Sequence, residues 1–168
     1  MKKIFLFSLL LSIVLASNAQ TKFSVPVPNM EQKYNSTRAL LYNNILALIN
    51  IAKSDGMTAD ELGKKSGALF FPYWDEHNTF EQFVNFMLSS WAFMSDSVKI
   101  IEQSNEKVVF TFPHIYPALE SQGVLVGSSL EDLIAYFDAL MGAIAKRINL
   151  SCDITWGEEG MKTEIAKK

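Results

Sequence analysis

The chain has 168 residues, 49 % of them apolar, and 15 Lys and Arg against 18 Asp and Glu give a net charge of −3. That length is one domain with room for a real core, and an acidic balance without any Lys/Arg cluster excludes nucleic acid and anionic lipid as electrostatic partners. Cys152 is the single cysteine, so no internal disulfide can form and stability must come from packing.

Residues 1–19 read as a cleavable signal peptide. Lys2 and Lys3 precede an apolar run from Ile4 to Leu15, and Ser17-Asn18-Ala19 puts small residues at minus three and minus one. The run is shorter than the ~20 residues that span a bilayer. The expectation is export to the periplasm or the extracellular space by a leader of bacterial type, with no integral membrane segment in the mature chain. No cysteine stands at the cleavage point for a lipid anchor, and Gln20 becomes the new N-terminus. Loss of Lys2 and Lys3 leaves 13 basic residues against 18 acidic ones, a net charge of −5. Residues 20–34, with Pro26 and Pro28, read as an extended lead-in, and residues 35–168 as a single α+β domain.

A first helix is expected from about Ser36 to Lys53. Its apolar residues Leu40, Leu41, Ile45, Leu46, Leu48, Ile49, Ile51 and Ala52 occupy more than one face, which predicts a central helix with neighbours on two sides. Gly56 suits a helix C-terminus. Thr58 and Glu61 have the spacing of a capping box, opening a second helix over 59–71 that ends at Pro72. Gly63 and Gly67 share one face of it, and each weakens the helix by about 1 kcal/mol relative to alanine. Close approach of another element offsets that cost; the sharper alternative is a smooth wall against a flat ligand.

A loop of bulky and ionisable side chains, Pro72-Tyr73-Trp74-Asp75-Glu76-His77, leads to Asn78 or Thr79 as the cap of a third helix. Phe80, Phe83, Val84, Met87, Leu88 and Trp91 recur at helical spacing while Phe86 points elsewhere. The period then changes to two. Val98 to Gln103 and Lys107 to Phe112 predict a hairpin that ends at Pro113. Residues 114–127, with His114, Tyr116 and Glu120, form an irregular segment that is either a partly helical cover or a functional loop. Ser128 and Glu131 predict a second capping box and a helix whose apolar positions run from Leu130 to Ile148. A closing hairpin alternates Leu150, Cys152, Ile154 and Trp156 with polar residues, turns at residues 157–160, and returns with Met161, Thr163 and Ile165 on one side. The expected fold is α+β: a four-stranded antiparallel sheet made of two hairpins, covered by about four helices, in the order ααα-ββ-α-ββ.

That order resembles the small-molecule-binding domains of the four-vinyl-reductase type, of the Golgi-transport TRAPP subunits and of haem-based nitric-oxide sensors. The segment Gly56-Met57-Thr58-x-x-Glu61-Leu62-Gly63-x-x-x-Gly67, leading to Trp74, is similar to a recurrent segment of uncharacterised exported bacterial proteins. The resemblance implies a ligand-binding fold. The cysteines and histidines by which such domains hold metal, acyl chain or haem have no counterpart here, so it assigns no residue and no cofactor.

No P-loop, dinucleotide fingerprint, HExxH, CxxC or GxSxG is present. Three readings of function follow from the residues. The first is a module that binds a small apolar or aromatic ligand between helices and sheet, lined by Tyr73, Trp74, Phe86, Trp91, His114 and Tyr116, because large aromatics exceed what the core needs. The second is an interaction or homodimerisation module whose spare apolar surface is the interface. The third is a hydrolase or isomerase that uses Asp75, Glu76, His77 or His114. Cys152 alternates with core residues and reads as an inert buried thiol.

Overall fold

The first helix starts inside the segment expected to be extended. In a computed structural model, which describes residues 29–168, α1 runs Met30–Ser54. Asn29 and Gln32 open it by exchanging side-chain-to-backbone bonds of 2.8 and 2.9 Å, a capping box that satisfies free N–H groups of the first turn. The lead-in reading is therefore corrected for residues 30–34. The expected signal peptide and residues 20–28 lie outside the described residues.

α1 is also not central. It buries one face through Tyr42, Leu46, Ile49 and Ala52 and leaves Leu40, Leu41, Leu48 and Ile51 exposed. After Gly56 (φ +79°), α2 spans Ala59–Ala68 with Thr58 and Glu61 in the expected capping box. It stops three residues before the predicted end, and Phe71–Tyr73 form a 3₁₀ turn that places Pro72 at its start. The cause is local, since proline disfavours helical backbone at the residue before it and has no N–H to donate. α3 spans Phe80–Met94, capped by Thr79 with Gln82.

Strands β1 (Lys99–Gln103) and β2 (Lys107–Phe112) form the first hairpin. The irregular segment that follows is structured, which adds to the expected order. α4 (Pro117–Gln122) and a two-stranded ribbon, β3 (Val124–Leu125) with β4 (Ser128–Ser129), precede α5 (Leu130–Arg147). The cap of α5 is Ser129 with Asp132, one residue later than predicted. Ser128 is instead fully buried and donates to the Leu46 carbonyl of α1 at 2.9 Å. β5 (Leu150–Gly157) and β6 (Gly160–Lys167) complete the chain.

The four long strands make one antiparallel sheet in the order β1-β2-β6-β5, so the two hairpins join through β2 and β6. Register puts Phe110 opposite Thr163 and Thr163 opposite Ile154, which carries Val108, Phe110, Phe112, Met161, Thr163, Ile165, Cys152 and Ile154 onto one buried face. Leu133, Phe137, Leu140 and Ile144 of α5 and Phe83, Met87 and Trp91 of α3 join the same core. The other face carries Lys107 between Glu102 (3.3 Å) and Glu164 (3.1 Å). Among the described residues the architecture is α+β with five helices, a four-stranded sheet and a small ribbon.

Gly63 and Gly67 settle which of their two readings holds. A Cβ on Gly63 would lie 2.3 Å from the Tyr136 carbonyl oxygen and 2.8 Å from the Ala139 Cβ; on Gly67 it would lie 2.6 Å from the Leu140 oxygen. The glycines are where α2 meets the backbone of α5. Gly63→Ala gains about 1 kcal/mol of helix propensity but forces the helices apart, and a net loss of about 2 kcal/mol is expected from urea unfolding. Gly142→Ala, whose Cβ meets only the Cys152 oxygen at 3.4 Å, is expected to leave the midpoint unchanged or raised.

Candidate functional site

Helical spacing builds a cleft from the contact just described. Asp138, Gly142 and Lys146 are four apart on α5, and Ala139 and Ala143 stand beside them. On α2, Asp60 and Lys64 are also four apart and paired at 2.7 Å. Because Gly63 and Gly67 seat α2 against Ala139 and Ala143, these two rows border one depression of about 430 Å³, completed by Phe71 and by Cys152 of the edge strand β5. A small molecule fits that volume. Its floor is small and apolar, with Phe71 as its one aromatic wall.

Charge within the cleft is balanced but unevenly satisfied. Lys64 has Asp60, whereas among the described residues no carboxylate pairs with Lys146. Asp138 Oδ1 accepts the backbone N–H of Ile154 at 2.6 Å, tying α5 to the outer edge of β5. Burial raises the Asp138 pKa; the Ile154 bond opposes this, and the nearby Asp153 and Asp60 charges add to it. Burial, with help from Asp138 and Asp153, pushes the Cys152 thiol far up. Cys152 is therefore a neutral apolar wall and no nucleophile.

The six residues expected to line a ligand site do not converge. Trp74 and Phe86 are brought together, with ring centroids 5.1 Å apart and Phe83 edge-on to Trp74 at 5.4 Å, and they pack with the core. Trp91 is buried between Phe112 and Phe137. Tyr116 stacks on Tyr42 at 4.9 Å and donates from its hydroxyl to Asn43 Oδ1 at 2.9 Å, pinning the irregular segment to α1. Tyr73 is exposed in the 3₁₀ turn. His114 is exposed beside Glu120, Nδ1 to Oε2 3.0 Å, while the other Glu120 oxygen accepts the N–H groups of Ile115 and Tyr116. None of the six lines the cleft. Large aromatics signalled packing here, and the signal for the cleft was the i,i+4 repeat Asp138, Gly142, Lys146.

Three of the four acid-base candidates, Asp75, Glu76 and His77, line a separate small depression of about 260 Å³ with Arg147, and His114 is not among its lining residues. Asp75 is engaged locally, accepting the His77 N–H at 2.9 Å, as an Asx turn does. Among the described residues no three His, Cys, Asp or Glu side chains gather closely enough to hold a metal ion. A charged hollow at the turn between α1 and α2, about 450 Å³ and lined by Asp55, Gly56, Met57, Glu61, Lys64 and Lys65, has its Glu61 already occupied in capping Thr58.

No protein-family model matches this chain, and neither a curated protein nor a solved structure matches it.

Two measurements check this geometry. A raised Asp138 pKa means that the native state holds a proton more tightly than the unfolded chain, so stability falls as pH climbs from the ordinary aspartate range, near ~4, through the raised value. Asp138→Asn keeps an acceptor for Ile154 and is expected to be more stable than wild type at pH 7, the gap closing below about pH 4. Thr163 Oγ1 and Trp91 Nε1 are buried without hydrogen-bond partners. Thr163→Val removes one orphaned hydroxyl at nearly constant shape, and thermal unfolding is expected to show equal stability or a gain of about 1 kcal/mol.

Proposed function

We propose that the protein is an exported binding module for a small amphiphile, a molecule with a flat apolar or aromatic body and one amine. The reading rests on the cleft between α2, α5 and β5 and on one feature in particular, the partly desolvated Asp138 carboxylate over a floor of Ala139, Gly142 and Ala143. One Asp138 oxygen is committed to Ile154; the other is free to accept an ammonium, a charge-assisted bond that is strengthened where water is scarce. Phe71 offers the face for the apolar body, and Lys146 sits at the rim for an anionic substituent. Export follows from the leader-like residues 1–19, and a small-molecule-binding role is in keeping with the resemblance of element order to four-vinyl-reductase-type domains.

Binding is favoured over catalysis because the cleft has no activated nucleophile. Cys152 is protonated at physiological pH, and the four candidate acid-base residues Asp75, Glu76, His77 and His114 are not among the residues lining it.

Ligand-observed NMR with phenethylamine, tryptamine, phenylacetate and toluene tests the reading. Saturable binding of the amines is expected, weakened at least tenfold by Gly142→Leu, which fills the floor, and selectively for the amines by Asp138→Asn. Absence of binding at millimolar ligand, or binding indifferent to Gly142→Leu, would overturn it.

A further inference from the structure

The exposed face of α1 carries a heptad pattern that no other element of the described chain covers. Thr37, Leu41, Asn44, Leu48 and Ile51 follow one another at spacings of four and three, and all are exposed, with Leu40 beside them at 61 %; Tyr34, three residues before Thr37, is exposed at the margin of the stripe, where its hydroxyl donates to the Phe93 carbonyl of α3 at 3.1 Å. They lie opposite the buried face formed by Tyr42, Leu46 and Ile49. Alternating three-four spacing on a helix is the stripe that packs against a second helix, and a single asparagine within it is a device that fixes register at some cost in stability. Soluble monomers rarely leave an apolar stripe of this length in water.

We propose that this face is the interface of a homodimer in which two α1 helices pack antiparallel about a two-fold axis at Asn44. An isologous contact must be complementary to itself, and α1 is so in this register. Leu40 falls opposite Leu48 of the second copy, Thr37 opposite its Ile51, and Asn44 opposite Asn44, where paired amides satisfy each other as donor and acceptor. At the ends, Lys33 falls opposite Asp55. A parallel pair would instead set Lys33 against Lys33 and leave both aspartates unpaired. Tyr34, Leu40, Leu41, Leu48 and Ile51 expose on the order of half of the ~800 Å² per partner that a standard interface buries. Thr37, Ala47 and the aliphatic stem of Lys33 add to that area on the same face.

This proposal is independent of the cleft, which α1 does not line. Sedimentation velocity of the exported chain tests it. Wild type is expected to be dimeric at tens of micromolar, and Leu48→Glu to weaken the dimer at least 100-fold while circular dichroism and Tm stay close to wild type, because Leu48 is exposed and lies outside the monomer core. Lys33→Glu is expected to weaken association and the swap Lys33→Glu with Asp55→Lys to restore it, which only the antiparallel register allows. A wild-type monomer at 100 µM, a dimer unmoved by Leu48→Glu, or a failed charge swap would overturn the proposal. So would dimerisation that appears only when residues 20–28 are deleted, since the stripe would then belong to the chain's own lead-in.

Discussion

Contact between α2 and α5, made at two positions without a Cβ, is the constraint on which the rest of the arrangement depends. Gly63 and Gly67 let one helix rest on the carbonyl oxygens and alanines of the other, at a cost of about 1 kcal/mol of helix propensity each. That contact fixes where Asp60 and Lys64 stand relative to Asp138, Gly142 and Lys146, and hence where the cleft lies. It also sets the height of Phe71, since the 3₁₀ turn begins only three residues after α2 ends. Moving the helices apart by the width of one methyl group would open the floor and separate the charged rows.

Much of the architecture was legible in the sequence because its signals are local. Thr58 with Glu61 and Thr79 with Gln82 are reciprocal caps that need no distant partner. Alternation of Leu150, Cys152 and Ile154, and of Met161, Thr163 and Ile165, dictated which side of the last hairpin faces the core. Errors arose where tertiary contacts override local chemistry. Ser128 and Ser129 are equally good caps by residue type, and the choice fell to Ser129 because Ser128 is drawn to the Leu46 carbonyl of α1. The ribbon and α4 escaped notice because each is short, and Glu120, which holds the start of α4, acts through bonds to Ile115 and Tyr116 that leave no periodic trace.

The candidate site was far less legible. Aromatic residues dominated the expected lining, yet Trp74, Phe86, Trp91 and Tyr116 pair with other rings and serve the core or the anchoring of a segment. Ionisable groups near a ligand surface are weakly marked in a sequence, because what raises the Asp138 pKa is burial, a property of the folded chain. Spare apolar surface is found on the outside of α1, at Leu40, Leu41, Leu48 and Ile51. Helical periodicity reports that a helix has two apolar faces; it does not say whether the second meets protein or solvent.

The bond from Ile154 to Asp138 also bears on what the sheet can do with other strands. A strand at the margin of a sheet displays unused amide groups on which a foreign chain can grow. On the β5 margin one such amide is consumed by a carboxylate, and the Cys152 carbonyl lies under Gly142 of α5. On the opposite margin, β1 is exposed throughout, but its pairing with β2 breaks register between Ile100 and Glu102, a bulge that bends the outer ladder out of line. Each flank is therefore interrupted at one point as a rail for a foreign strand, on β5 by a side chain and on β1 by a break in register.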